Sequence, residues 1–234
     1  MQGEVVVRAA TPRDLAARAE LVRDCITEYD FDAFLMFFFQ ELTLQVCVLC
    51  GAVLFIFAGA SLAACALVLP AAAAAAALAA CLAHRASAAA HRQRMRAELR
   101  GFVAEYRGPL CSAPPGPVRV RQAEAEGGAG GALVGSLSVA ECWGPRRSGW
   151  VQALGVARAW RRRGVGAALV RAARRWAAAE GLESLEACAS ELQGGARELL
   201  HADGWQVRST TQRPVLGAAL TLGVAQLGLE LPHA

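Results

Sequence analysis

Lysine is absent from this chain: all 24 of its basic residues are arginines. With the excess of alanine and glycine, this reads as a coding bias, so a single arginine says little until its neighbours are considered. Acidic side chains nearly balance the arginines, leaving a formal net charge of +4. The arginines are scattered or sit beside apolar segments instead of alternating with stacking aromatics, so nucleic acid is not an expected partner. A cysteine framework is missing too. Cys47, Cys50, Cys65 and Cys81 lie in apolar sequence, while Cys25, Cys111, Cys142 and Cys188 are far apart. Cys47-x-x-Cys50 has redox or metal spacing, but it lacks a second pair and a nearby histidine. These cysteines read as small buried hydrophobes, and no metal is expected. The opening Met1-Gln2-Gly3-Glu4 shows none of the charged and apolar regions of a secretory signal, so any membrane signal is expected to be internal.

From Leu42 to Ala83 there is no charged residue and no histidine. About 20 apolar residues cross a bilayer as one helix, and this run is far longer. It reads as a membrane segment, since a buried core helix would be shorter and would show a polar face. Two arrangements fit. In one, two short spans turn at Gly59-Ala60-Ser61; in the other, one span of about 28 residues ends at Leu69-Pro70 and an alanine-rich helix follows. Before the segment, Glu4 to Ala9 reads as a strand, and Thr11-Pro12-Arg13-Asp14 starts a helix with Thr11 as N-cap. After it come His84-Arg85 and then Arg92, Arg94, Arg96 and Arg100, read as a polar helix. If the early strand and helix pack with the later strands, both flanks share one side of the membrane, and an even number of crossings or a re-entrant hairpin follows. The arginine-rich exit puts that side in the cytosol.

The second half carries the chemistry. Arg161-Arg162-Arg163-Gly164-Val165-Gly166 follows the apolar run Val151 to Val156 and opens an amphipathic stretch from Ala167 to Glu180. A strand that turns on two glycines into a helix leaves backbone N–H groups without intrahelical partners, and the helix dipole adds about half a positive charge. This is a phosphate cradle, in which glycine allows close approach and arginine offers bidentate contacts. Rossmann spacing is excluded by the missing third glycine, and P-loop spacing by the missing Gly-Lys-Ser/Thr.

Around this turn, Arg107 to Pro117 reads as a loop. Strands are expected at Val118 to Ala123, Ala132 to Val139 and Trp150 to Val156, with Glu124 to Gly131 as a turn. A helix from Val165 to Glu180 follows, then a strand at Ser184 to Ala189, a helix at Gln193 to Ala202 and a strand after Gly204-Trp205. Val215 to Leu229 reads as closing strands, with membrane-surface contact as the alternative. The succession is a mixed α/β domain.

Arg161-x-x-Gly164-x-Gly166 has the spacing of the pyrophosphate loop of the GCN5-related N-acetyltransferase (GNAT) superfamily. Thr11-Pro12-x-Asp14, the strand ending at Val156, and Ala196-x-x-Leu199 to Gly204-Trp205 extend the likeness. The internal apolar segment and apolar tail resemble the camello-like, membrane-bound branch, whose members acetylate cysteine conjugates, aspartate or lysine. The resemblance implies an α+β GNAT fold, a mixed and mainly antiparallel sheet flanked by helices, with an inserted membrane hairpin. Its parts would be residues 1–41, the first strand and helix; 42–83, the membrane hairpin; 84–117, a basic helix and Pro-rich loop; and 118–234, the catalytic core. It implies acetyl-CoA as donor, an amine acceptor, a lipid bilayer as partner, and residence at the endoplasmic reticulum facing the cytosol. Acetyl-CoA would be held by Arg161, Arg162, Arg163, Gly164, Val165, Gly166 and Ala167 and by the main chain of Leu154 and Val156. Where relatives carry a thiolate-protonating tyrosine this chain has Leu200, and a position often polar holds Ala153. His201 and Glu141 are the substitute candidates for acid and base. A non-catalytic membrane protein that keeps the fold is the other reading.

Overall fold

The computed structural model describes residues 4–108, 119–122, 131–142, 147–216 and 220–232. The chain divides into two units: residues 1–25, 88–211 and 223–234 form the first, and 26–87 with 212–222 form the second.

Eight strands make one sheet: β1 (Glu4–Ala9), β2 (Arg100–Arg107), β3 (Arg119–Gln122), β4 (Ala132–Cys142), β5 (Ser148–Val156), β6 (Ser184–Ser190), β7 (Gln206–Leu216) and β8 (Leu220–Glu230), in the order β3-β1-β2-β4-β5-β6-β8-β7. The pairs β1–β2, β2–β4, β4–β5 and β6–β8 are antiparallel, while β1–β3 and β5–β6 are parallel. This matches the expected mixed, mainly antiparallel sheet. Because β1 pairs with β2, the chain returns to its starting sheet after the apolar helices.

Helix α1 (Leu15–Thr27) covers one face of the first unit's sheet. Thr11 caps the preceding turn in a capping box with Asp14, and Pro12 occupies the first turn, where no N–H is needed. Arg18 of α1 reaches Ser136 and Ser138 on that face of β4. The alternate residues Leu137 and Val139 join the other face, where helix α6 (Val165–Ala179) buries Val165, Ala168, Leu169, Ala173 and Ala177. Each large aliphatic side chain in that layer contributes roughly 1.5–3 kcal/mol.

Two charged networks lie inside the first unit. Arg8 donates to Asp14 Oδ2 at 2.7 Å and to Glu105 Oε2 at 2.8 Å, joining β1, the helix start and β2. Arg18 forms a fork with Glu98 at 2.6 and 2.7 Å. Both arginines are satisfied donors, as buried charge requires.

Two expectations need correction. Residues 84–117 do not form a helix and loop alone: helix ends at Met95, and Arg100–Arg107 is a central strand, so Arg100 is not helical. Its sequence lacks clean alternation because neighbours cover both faces, and its one acid, Glu105, is neutralised by Arg8. The strand near residue 120 does not form a hairpin with β4. It lies parallel to β1 at the sheet edge, since β2 occupies the place beside β4. The Pro-rich loop and the expected turn from Glu124 to Gly131 fall almost wholly outside the described residues.

In the second unit, helix α2 (Asp30–Phe38) is followed by α3 (Glu41–Phe57), α4 (Leu62–Ala66) and the start of α5 (Val68–Met95). The charge-free run breaks at Gly59-Ala60-Ser61, the position read as a turn: Gly59 has φ +60° and Ser61 caps α4. Helix continues through Leu69-Pro70, because Pro70 sits in the first turn of α5, where proline is tolerated. Leu62–Met95, 34 residues that include an 18-residue window of mean hydropathy 2.3, is long and apolar enough to cross a membrane, and 11% of that window is buried. The pair Pro12–Phe38 and Glu41–Phe57, bent by 57°, passes the same criterion only as a broken span. Large apolar side chains of α3 face outward, with Phe57 82% exposed. The tail forms β7 and β8, agreeing with closing strands.

Candidate functional site

The site begins where two strands part. β5 and β6 run parallel from Ser148/Ser184 to Val151/Ala187, and there their pairing stops. β6 stays paired with β8 through Ser190, so it is β5, from Gln152 to Val156, that leaves its neighbour. A β-bulge causes the departure. Ser138 pairs with Gln152 and Ser136 with Gly155, which sets Ala153 and Leu154 together opposite Leu137. Ala153 takes the left-handed conformation with φ +51°, a position that L residues rarely adopt. Main-chain groups of β5 thereby face a wedge instead of a strand.

At the end of β5 the chain passes through a short 3-10 turn, Arg158–Trp160, into the arginine-glycine loop and α6. Arg162 has φ +59° and Gly164 φ +81°. The first helix-closing amide is that of Ala168, which donates to the Gly164 carbonyl at 3.0 Å. The N–H groups of Gly164, Val165, Gly166 and Ala167 therefore precede the hydrogen-bonded ladder, with no side-chain cap on them. A Cβ on Gly164 would meet no atom within 4 Å, so the space over the loop is open. At Gly166 a Cβ would approach Leu199 Cδ2 to 2.9 Å, so that glycine lets helix α7 (Gly194–Ala202) pack against α6.

The three arginines part company. Arg161 turns back, and its Nε donates to the Val156 carbonyl at 2.9 Å, an oxygen that Cys25 Sγ also approaches at 3.5 Å. Arg162 reaches Glu198 of α7 in a solvent-exposed pair at 3.1 Å. The Arg163 guanidinium lies 5.5 Å from the ring centre of Trp160, whose ring contacts Tyr106.

Leu154, Val156 and Arg161 to Ala167 thus lie along one strand-to-helix path. Glu141 does not join them: it is exposed and paired with Gly149, toward the opposite end of β5. His201 is exposed on α7, whereas Leu200 is 2% exposed and belongs to the core. Gln152 escaped the sequence reading. It is 7% exposed on the Ser138 face, its amide nitrogen has no hydrogen-bond partner, and it is the first residue of β5 past the last pairing. A lone glutamine between Val151 and Ala153 was the available signal. No group of three His, Cys, Asp or Glu residues among those described is arranged to hold a metal.

The family model described as Acetyltransferase (GNAT) family matches residues 84–205, just over half of the 234-residue chain. No curated protein matches. Among solved structures, a “putative phosphinothricin N-acetyltransferase” aligns over 98% of this chain and 100% of its own, at 15% identity and TM-score 0.53. yncA, “a putative acetyltransferase from Salmonella typhimurium with its cofactor acetyl-CoA”, aligns over 99% and 96%, at 12% identity and TM-score 0.52. At these identities the likeness is one of fold, and it is the family match, joined to the parted strands and the open amide turn, from which it follows that this chain belongs to the GNAT family of acetyltransferases.

Proposed function

We propose that the chain is a membrane-anchored N-acetyltransferase of the camello-like kind, passing acetyl from acetyl-CoA to a primary amine on a small amphipathic amino-acid conjugate or a protein lysine. The observation that carries the reading is the pairing of β5 with β6 only as far as Val151/Ala187, which leads into four unbonded amides, Gly164 to Ala167. Those amides and the α6 dipole hold pyrophosphate, and the open space at Gly164 leaves room for it. Main-chain groups of Gln152 to Val156 bind the pantetheine arm as a further strand would. The coenzyme supplies an acetyl group already activated as a thioester. The protein's part is then placement: a fixed strand edge and a turn that align the amine with the carbonyl. Glu141 and His201 both face solvent, and Glu141 pairs toward the far end of β5, so neither is supported as the base that takes the amine proton.

The apolar helices support membrane anchoring. The exposed apolar surface of α4 and α5 from Leu62 to Leu82 is what lipid would cover. Since β1 and β2 flank these helices and are hydrogen-bonded neighbours, the segment enters and leaves on one side, which supports two crossings or a re-entrant hairpin. The arginines after Ala83 support a cytosolic side for the acetyltransferase fold, with the endoplasmic reticulum as the proposed membrane.

A second reading, a fold that binds coenzyme without turnover, is favoured by Leu200 being buried where a tyrosine would donate a proton. Full-length protein in detergent is expected to bind acetyl-CoA, and Gly164→Trp to abolish binding; absence of binding in the wild type overturns both readings. Thiol release is then measured with cysteine conjugates, aspartate and lysine peptides. Acceptor-dependent release supports the enzyme, and none across the panel supports the second reading. Resistance to alkaline extraction from membranes tests the anchor.

A further inference from the structure

Helix α5 changes character along one stripe. At 100° per residue, Leu78, Leu82, Arg85 and Arg92 fall within about 80° of one another on its surface. Leu78 and Leu82 are 60% and 55% exposed, and Arg85 and Arg92 are exposed beyond them. Arg94 and Arg96 extend the cationic end, and from His84 to Ala97 there is no acidic residue. Arg85, Arg92, Arg94 and Arg96 are all exposed, and none forms an ion pair among the described residues. Arg8, Arg18, Arg162 and Arg208, by contrast, each meet a carboxylate. Four unpaired guanidiniums at the polar end of an apolar helix form a cationic collar with no counter-charge of its own.

We propose that this collar binds the anionic phospholipid headgroups of the leaflet into which α5 inserts, so that the protein selects negatively charged membrane. The inference rests on the membrane reading above. Distances along the helix favour it. At a rise of 1.5 Å per residue, Arg85 lies about 5 Å beyond Leu82 and Arg92 about 15 Å beyond. The polar layer of each leaflet is about 5–8 Å deep, and screening acts over about 8 Å. Arg85 therefore sits among the headgroups, snorkelling from the same face as Leu82. Arg92 lies about one screening length above the lipid phosphates and approaches them as the helix tilts. Guanidinium is suited to this ligand, since it stays charged and grips phosphate oxygens bidentately. An arginine near an anionic surface gives about a fivefold preference, equivalent to about 1 kcal/mol.

The test uses the full chain reconstituted into phosphatidylcholine vesicles that contain a trace of pyrene-labelled phosphatidylserine or pyrene-labelled phosphatidylcholine. Energy transfer from a tryptophan introduced beside the collar by Leu82→Trp in every protein compared reports which lipid adjoins it, and flotation after alkaline wash reports insertion. The wild type is expected to favour phosphatidylserine by about fivefold or more, with the preference lost in high salt. Arg85→Gln, Arg92→Gln, Arg94→Gln and Arg96→Gln combined should float as before with equal transfer to both lipids, while the four Arg→Lys changes should keep most of the preference. Equal transfer in a wild type that floats overturns this inference alone. A wild type that does not float overturns the membrane reading and the inference with it. Circular dichroism of the variants excludes unfolding as the cause of a lost preference.

Discussion

Arg161 Nε donates to the Val156 carbonyl at 2.9 Å, tying the first arginine of the turn to the last residue of the strand before it. The bond fixes the angle at which the strand edge meets the amide turn, and a charged donor in a half-buried place makes it worth about 1.5–3 kcal/mol. Arg161→Ala is therefore expected to weaken acetyl-CoA binding by about tenfold or more. Arg162→Ala, which loses only an exposed pair with Glu198, should change it less than about threefold. Calorimetric titration of both variants measures the contrast, and equal effects would show that the bond does not shape the site.

The two glycines of the turn should fail in different ways. Gly164→Ala places a Cβ in open space at φ +81°, so it costs about 1–2 kcal/mol of backbone strain and lowers the melting temperature. Gly166→Val pushes against Leu199 Cδ2 and is expected to cost about 1–3 kcal/mol by parting α6 from α7. Thermal unfolding measures both, and a crowded Gly164 with a tolerant Gly166 would contradict the geometry.

Stability should fall with acid in a way traceable to Asp14. Its hydrogen bonds from Arg8, and then from Thr11, outweigh the effect of burial and hold its carboxyl down at about 2, from 3.8. A carboxyl whose folded value is depressed stabilises the fold fully above its unfolded value, and that stabilisation fades as pH falls from about 4 toward 2. At neutral pH it amounts to about 2 kcal/mol. Asp14→Asn should be less stable than wild type at pH 7, with the difference shrinking toward pH 2. Chemical denaturation at several pH values tests it, and a difference that does not vary with pH would refute the linkage.

Restoring a tyrosine at position 200 is not expected to restore an acid. Leu200 is part of the core, so a phenol there enlarges a filled site and costs about 1–3 kcal/mol. Leu200→Tyr should lower the melting temperature without raising acceptor-dependent thiol release. A rate increase in the stably folded variant would show that the helix turns its 200 position toward the wedge when acetyl-CoA is bound.

Reading residues in order was enough to locate most elements of the core. The periodic helix Val165–Ala179, the capped start at Thr11 and the glycine turn all depend on neighbours within a few positions, and these are contacts that a linear pattern records. The glycine break near residue 59 was legible for the same reason. Strand β2 was not, because arginines in sequence resemble a polar helix until Arg8, 97 residues away from Glu105, is seen to neutralise its buried acid. The edge position of β3 was hidden likewise, since it depends on β1 and β2 being neighbours across the whole apolar insertion.

The site divides along the same line. Spacing alone identified an anion-binding turn, for a glycine-bearing strand-to-helix junction makes free amides wherever it occurs. The wedge beside it needed three dimensions: it arises from a bulge measured against β4 and from a pairing with β6 that ends at Val151/Ala187. Which candidates could meet the chemistry was also a matter of packing, which turned Leu200 inward, left His201 and Glu141 in solvent, and set the unpartnered Gln152 where the strands part. Local backbone geometry follows from local sequence, whereas registers and distances between side chains follow from segments that meet only when the chain has folded.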